Sequence, residues 1–199
     1  DRVCRKHNLR YWLDYGTLLG AVRHKGFIPW DDDVDISMPY EDFLKFKEIA
    51  PQELGEDYVY TYPPGFICRV MHKDFGLITE EDICGVYKRY GWRDTQRIFF
   101  HVDIFPIRYA KEELSRQQLS DTIQKGIARK KELRTYNEEA TFAAWQRIAD
   151  EIYDDYELPI SSDTPTSRMF MSLDCTVQPK PRIYMTEDIF PLREIEFEG

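Results

Sequence analysis

Four carboxylates fall within five positions, Asp31, Asp32, Asp33 and Asp35, and the run continues as Val34-Asp35-Ile36. Acid–apolar alternation has the period of a β-strand, whose side chains point to opposite faces in turn. On a strand, Asp31, Asp33 and Asp35 share one face while Val34 and Ile36 point to a core. Neighbouring acids then lie two rises apart, roughly 6.6 Å. At an effective dielectric near 20, each such pair repels by roughly 2.5 kcal/mol. A chain folds around that arrangement only if something offsets it. A hard divalent cation does so, and an all-oxygen ligand set points to Mg²⁺ or Mn²⁺. A solvated acidic turn would not alternate into Val34 and Ile36. An EF-hand loop needs a glycine where Ile36 stands.

Upstream lies the tract YGTLLGAVRHKGFIPW, residues 15 to 30. Tyr11 to Tyr15 reads as a short strand that Gly16-Thr17 breaks. Thr17 is then expected to cap a helix built on Leu18, Leu19, Ala21 and Val22, which Gly26 ends. Free N–H groups and a hydroxyl at such a helix start suit a phosphate. Arg23, His24 and Lys25 fall in the last turn, where cations complement the helix dipole. Arg23 is the first choice among them for a phosphate or nucleotide contact. Trp30 suits stacking on a base, although a place in the core is the stronger expectation. Further on, Asp103 sits alone among apolar residues in HVDIFPI, which is costly without a partner. It is the expected third acid. His101 shares its strand parity and reads first as an ordinary strand histidine.

The rest of the chain reads in three parts. Asp33 to Met38 is a strand, and Phe43, Phe46 and Ile49 form a helix that Pro51 stops. Residues 56 to 108 are β-rich, the clearest strand being Arg97 to Ile107. Residues 111 to about 157 are helical, with an apolar stripe from Phe142 through Trp145, Ala149 and Ile152 to Tyr156. Residues 158 to 182 read as a loop, and Ile183 to Gly199 as short strands. Tyr90 and Trp92 are candidate rings for a quaternary ammonium group.

Charge excludes some functions. Asp and Glu number 36 against 27 Lys and Arg, a formal net charge of -9. Non-specific nucleic-acid binding and docking on anionic membranes both need a basic face, so neither is expected. No apolar run approaches the roughly 20 residues of a membrane-spanning helix. Cys4, Cys68, Cys84 and Cys175 are scattered without a CxxC pair and read as reduced thiols. Cys68, His72 and Cys84 fit no common zinc spacing.

The segment GTLLGAVRHKGFIPWDDDVDI closely resembles the signature of LicD-type transferases, a family that includes the fukutin-related proteins. Its superfamily, the nucleotidyltransferases with a DNA polymerase β palm-like fold, has a Gly-Ser or Gly-Thr, an acid–apolar–acid–apolar strand, and a third acid on a later strand. The pattern maps onto Gly16-Thr17, Asp33-Val34-Asp35-Ile36 and Asp103. The resemblance is strong over residues 11 to 46, moderate over 97 to 107 and faint at FPLREIEFEG. Tyr40 stands where members often carry Arg. Members usually continue past the FEG element, so the chain is expected to be truncated and to lack part of the acceptor site.

The resemblance implies an α/β (α+β) fold, a nucleotidyltransferase-type mixed sheet with flanking helices and a helical appendage. It implies a single LicD-like domain over 1–199: a catalytic core at 1–108, a helical segment at 109–158, and a loop with a short β-tail at 159–199. The implied reaction moves a phospho-alcohol from a CDP-activated donor to a glycan hydroxyl and releases CMP. CDP-choline is the favoured donor, as in bacterial members that decorate teichoic acid, lipopolysaccharide or other surface glycans. CDP-ribitol serves the fukutin-like branch. The expected location is cytoplasmic. Asp33 and Asp35 would hold one or two Mg²⁺ with Asp31 beside them, and Asp103 would be a further ligand or the base. Gly16 and Thr17 would hold donor phosphate, with Arg23, His24, Lys25 and Trp30 around it. Two other readings stay open: a nucleotidyltransferase releasing pyrophosphate, and a catalytically silent nucleotide-binding module.

Overall fold

The structure, a computed structural model, describes residues 1–31, 33–62, 67–72, 101–136, 141–175 and 179–199. Asp32, Cys84, Tyr90, Trp92 and the first residues of the strand expected from Arg97 lie outside the described residues. In chain order the elements are α1 (Arg2–Lys6), β1 (Trp12–Leu13), α2 (Tyr15–His24), β2 (Asp33–Pro39), α3 (Tyr40–Glu53), β3 (Tyr58–Thr61), β4 (Cys68–His72) and β5 (His101–Ala110). Then come α4 (Arg116–Tyr136), α5 (Phe142–Ile152), a π-helical turn (Tyr153–Glu157), β6 (Ser161–Ser162), β7 (Arg168–Met171), β8 (Ile183–Met185) and α6 (Thr186–Ile189).

These strands form one mixed sheet. Its main path runs β1-β2-β5-β4-β3, while β6 and β7 pair with the far half of β5 and β8 pairs with β7. Strands β2 and β5 are parallel, and the other described pairs are antiparallel. The alternation read from the sequence sets the faces. Ile36 and Met38 of β2, Cys68 of β4 and Ile104 of β5 form a core with Phe43 and Phe46 of α3. The residues between them on β2, Asp33, Asp35 and Ser37, therefore face the other side, where α2 packs. A second core joins α4 and α5 to the sheet through Leu119, Ile123, Trp145, Ile152, Phe170 and Leu173. It contains much of the apolar stripe expected from Phe142 to Tyr156.

The structure departs from the expected elements in several places. Helix α2 begins at Tyr15, with Asp14 as its cap, so Thr17 lies inside the helix. Pro51 sits within the last turn of α3, which runs on to Glu53. One missing N–H is tolerated so near a helix end, and the Leu54 N–H still reaches the Ala50 carbonyl at 3.0 Å. The expected loop at 158–182 contains β7, whose Met169, Phe170 and Met171 are fully buried. That short apolar run is hidden in the sequence by its Pro, Ser and Thr neighbours. The tail holds a helical turn, α6, as well as β8. Trp30 is 84% exposed, so it is not part of the core. Cys4, Cys68 and Cys175 are buried free thiols.

Candidate functional site

The site begins at the entry to α2. Asp14 is extended, and its carboxylate accepts the Tyr15 N–H at 2.9 Å and the Ser37 hydroxyl at 2.7 Å. Tyr15 then takes φ +43°, a left-handed conformation rare outside glycine. The kink sends α2 back over β2. The Thr17 hydroxyl, 1% exposed, accepts the Asp35 backbone N–H at 2.8 Å. Thr17 thus ties α2 to the strand that carries the acids. Gly16 leaves room for the Asp31 carboxylate: a Cβ there would lie 2.5 Å from Asp31 Oδ2 and push that side chain aside.

The acids meet because β2 and β5 run parallel in one register. Asp33 lies opposite His101, and Asp35 opposite Asp103. On the other side of β5, Asp103 faces Arg69 of β4. The Arg69 Nε donates to Asp103 Oδ1 at 2.7 Å, and Nη2 approaches Oδ2 at 3.4 Å. His101 Nε2 is 3.3 Å from Asp103 Oδ1 and 3.7 Å from Asp33 Oδ2. Burial alone would raise the Asp103 carboxyl, but Arg69 and His101 outweigh it and hold its pKa below the usual range. Asp35 goes the other way. Burial first, then the charges of Asp33 and Asp103, push it up to about 7 against one opposing hydrogen bond from the Gly16 N–H.

This donor set fits a hard cation. Ligand atoms of Asp33, His101 and Asp103 lie within 4.8 Å of one another. Among the described residues, Asp31 Oδ2 is buried with no hydrogen-bond partner. The buried Asp31 oxygen and the Asp35 carboxyl, raised by burial and by its acidic neighbours, are both groups that a cation bound here would satisfy. His101, read first as an ordinary strand histidine, belongs to the triad.

The structure places the other expected site residues as follows. Asp31 lies ahead of β2, in the connector, and reaches the site over Gly16. Arg23 and His24 end α2 and are exposed. Lys25, at φ +58°, takes the left-handed cap position expected of Gly26, and its ammonium pairs with Glu196 at 3.0 Å. Gly26 is instead pressed by Glu198, whose Oε1 would lie 2.1 Å from a Cβ there. Glu198 also accepts the Phe27 N–H at 2.8 Å, so the C-terminal segment holds the loop leading to Asp31. Sequence reasoning missed Arg69 and Asp14. The signal for Arg69 was its charge within the β-prone run CRVMH, on the parity opposite Cys68 and Val70.

The chain is similar to known proteins. Residues 8–142 match the family model described as LicD/FKTN/FKRP, nucleotidyltransferase domain. The lipopolysaccharide cholinephosphotransferase LicD of Haemophilus influenzae is 46% identical over 56 residues, 28% of this chain and 21% of the relative. The human ribitol 5-phosphate transferase FKRP is 31% identical over 104 residues, 52% of this chain and 18% of the relative. An uncharacterized protein of Rickettsia prowazekii is 35% identical over 109 residues, 53% of this chain and 41% of the relative. The chain thus spans less than half the length of these relatives. With the family model covering more than half of its residues, the chain belongs to the LicD/FKTN/FKRP nucleotidyltransferase family.

Proposed function

We propose that this chain carries the catalytic centre of a metal-dependent transferase. It moves a phospho-alcohol, phosphocholine first among them, from a CDP-activated donor to a glycan hydroxyl and releases CMP. The observation that carries this reading is the convergence of Asp33, His101 and Asp103 on adjacent parallel strands, with Asp35 and the buried oxygen of Asp31 beside them. The named relatives supply the choice of phospho-alcohol.

Asp33 and Asp35 would hold Mg²⁺ or Mn²⁺, with Asp31 and Asp103 completing the acidic wall. Such an ion neutralises phosphate oxygens and draws charge from the bond that breaks. The chain's own residues do the rest. Gly16 and Thr17 in the first turn of α2 would border the donor phosphate, while the Tyr15 and Gly16 N–H groups already donate to the Asp14 and Asp35 carboxylates, and Arg23 lies at the other end of the same helix. The acceptor hydroxyl must lose its proton to a carboxylate of this set. In the metal-free protein Asp35, raised by burial and by its acidic neighbours, takes up a proton more readily than Asp103, which Arg69 and His101 hold low. Among the described residues no helix is long and apolar enough to cross a membrane. We place the reaction at the cytoplasmic side, where CDP-linked donors are made.

The test incubates the full chain with Mg²⁺ and CDP-choline, CDP-ribitol, CDP-glycerol or CTP, and follows CMP and pyrophosphate. CMP from a CDP-alcohol supports the reading. Pyrophosphate from CTP would replace it with nucleotidyl transfer, and binding without either product would leave a silent module. Asp33→Asn should lower turnover at least a hundredfold while the unfolding midpoint holds.

A further inference from the structure

The sequence offers Arg23 as the cation for a phosphate, but the fold carries it away from the acids. Arg23 lies seven positions after Gly16 on α2, roughly 10 Å along the helix. Another cation stands at the near end. The Arg182 guanidinium lies 5.1 Å from the centre of the Tyr15 ring, at the residue that opens α2. Arg182 immediately precedes β8 and is exposed. Among the described residues it forms no ion pair.

Strand register places this cation on the acid face. Along β2 and β5, Asp33 lies opposite His101, Asp35 opposite Asp103 and Ser37 opposite Phe105. Asp103 and Phe105 are two positions apart, so they share one face of the sheet. The Tyr15 ring packs on Phe105, with 4.9 Å between ring centres. It therefore covers that face one strand repeat, roughly 6.6 Å, beyond Asp103. Arg182 lies against the same ring. The platform is held from several sides. The Tyr15 hydroxyl reaches Met171 Sδ at 3.8 Å, and Tyr184 donates to the capping Asp14 at 3.4 Å. The backbone of Arg182 is tied to β7, since its carbonyl accepts the Met171 N–H at 3.2 Å.

The acids attract a cation and repel a diphosphate. A cation held among them offsets that repulsion at one point, and a second positive charge further along the face extends the offset over the rest of the anion. Arginine suits the place better than lysine. A guanidinium stacked on a ring keeps its N–H edges for oxygens and meets a phosphate with two parallel hydrogen bonds. We infer that Arg182, stacked on Tyr15, binds the diphosphate of the nucleotide donor. Arg182 does at the near end of α2 what the sequence suggests for Arg23 at the far end. The inference rests on the phosphotransferase reading and adds a residue to its donor site.

The test is calorimetric titration of the full chain with CDP in the presence of Mg²⁺. Arg182→Met keeps an apolar stem over the Tyr15 ring and removes the charge. It should bind CDP about tenfold more weakly, the loss expected of a charge-assisted hydrogen bond. Arg182→Lys restores the charge without the planar fork and should recover about threefold of that loss. Arg23→Met should lose less than Arg182→Met. Arg182 is exposed, so its replacement leaves the core intact, and an unchanged urea midpoint checks that. Equal CDP binding by the wild type and Arg182→Met overturns this inference and leaves the donor reading standing. A larger loss in Arg23→Met than in Arg182→Met moves the phosphate to the far end of α2 and overturns it too. No saturable CDP binding by the wild type removes the donor reading and this inference together.

Discussion

Removing the guanidinium of Arg69 tests whether the acids are a balanced charge system. Arg69 is 8% exposed and Asp103 is 4%, and they meet through a forked contact of 2.7 and 3.4 Å. In Arg69→Met, a side chain of similar length fills the space and Asp103 keeps a buried negative charge next to Asp35 on the neighbouring strand. Breaking a buried pair by deleting one partner costs about 3–5 kcal/mol. That is a large share of the roughly 5–15 kcal/mol that stabilises a domain. The assay is urea unfolding of the metal-free chain as a double-mutant cycle with Asp103→Asn. The double variant should lose less than the sum of the single losses by about 2 kcal/mol, because each single change strips a buried charged group of its nearest counter-charge. Mg²⁺ should restore more stability to Arg69→Met than it adds to the wild type, since an added cation replaces a missing one. A cycle additive to within about 0.5 kcal/mol would refute the coupling, and equal Mg²⁺ effects would refute the shared site.

Substitutions at three other positions probe separate parts. Gly16→Ala places a methyl against Asp31 Oδ2 and should cut turnover about tenfold or more, with a change in unfolding free energy of about 1 kcal/mol. Wild-type turnover would show that Asp31 has no need of that position. Glu198→Ala should raise the KM for donor and weaken Mg²⁺ binding, while Glu198→Gln keeps the acceptor for the Phe27 N–H and retains most function. If both behave alike, charge rather than the hydrogen bond holds the loop. Lys130 is fully buried, and burial first, then the Arg134 charge, lowers its pKa from 10.5 to about 7. The unfolded chain binds this proton and the folded chain releases it between those values, so stability should rise with pH from about 7 to 10.5. Urea unfolding across that range should show the rise in the wild type and not in Lys130→Met.

Much of the site was legible because its logic is local. The period of Asp33-Val34-Asp35-Ile36 forces acids to one face and apolar side chains to the other, whatever the rest of the chain does. The lone acid in HVDIFPI announced a partner for the same reason. What stayed hidden depends on register between distant segments. Arg69 reaches Asp103 only because β4 pairs antiparallel with β5, and His101 joins Asp33 only because β2 and β5 run parallel without offset. Neither alignment can be read from one strand. Thr17 misled for a related reason. Ser, Thr and Asp are all good caps, so propensity alone does not choose between Asp14 and Thr17. The choice fell to Asp14 through contacts made by Ser37 and Asp35, which lie some twenty residues further along.

The same register argument explains why the acids tolerate one another. If β5 were shifted by one residue against β2, Val102 would stand opposite Asp33 or Asp35, and Asp103 would turn toward Phe43 and Phe46. The observed alignment places Asp103 where Arg69 and His101 balance it and leaves Asp35 and Asp31 without an equivalent partner. Positive charge is thus supplied to one half of the acidic wall by the protein and withheld from the other half. A fold that sought only stability would pair both halves or replace the acids with apolar residues. On the proposed function the unmatched half is where a cation would bind, and the neutralised half removes part of the repulsion that pairing β2 with β5 would otherwise create.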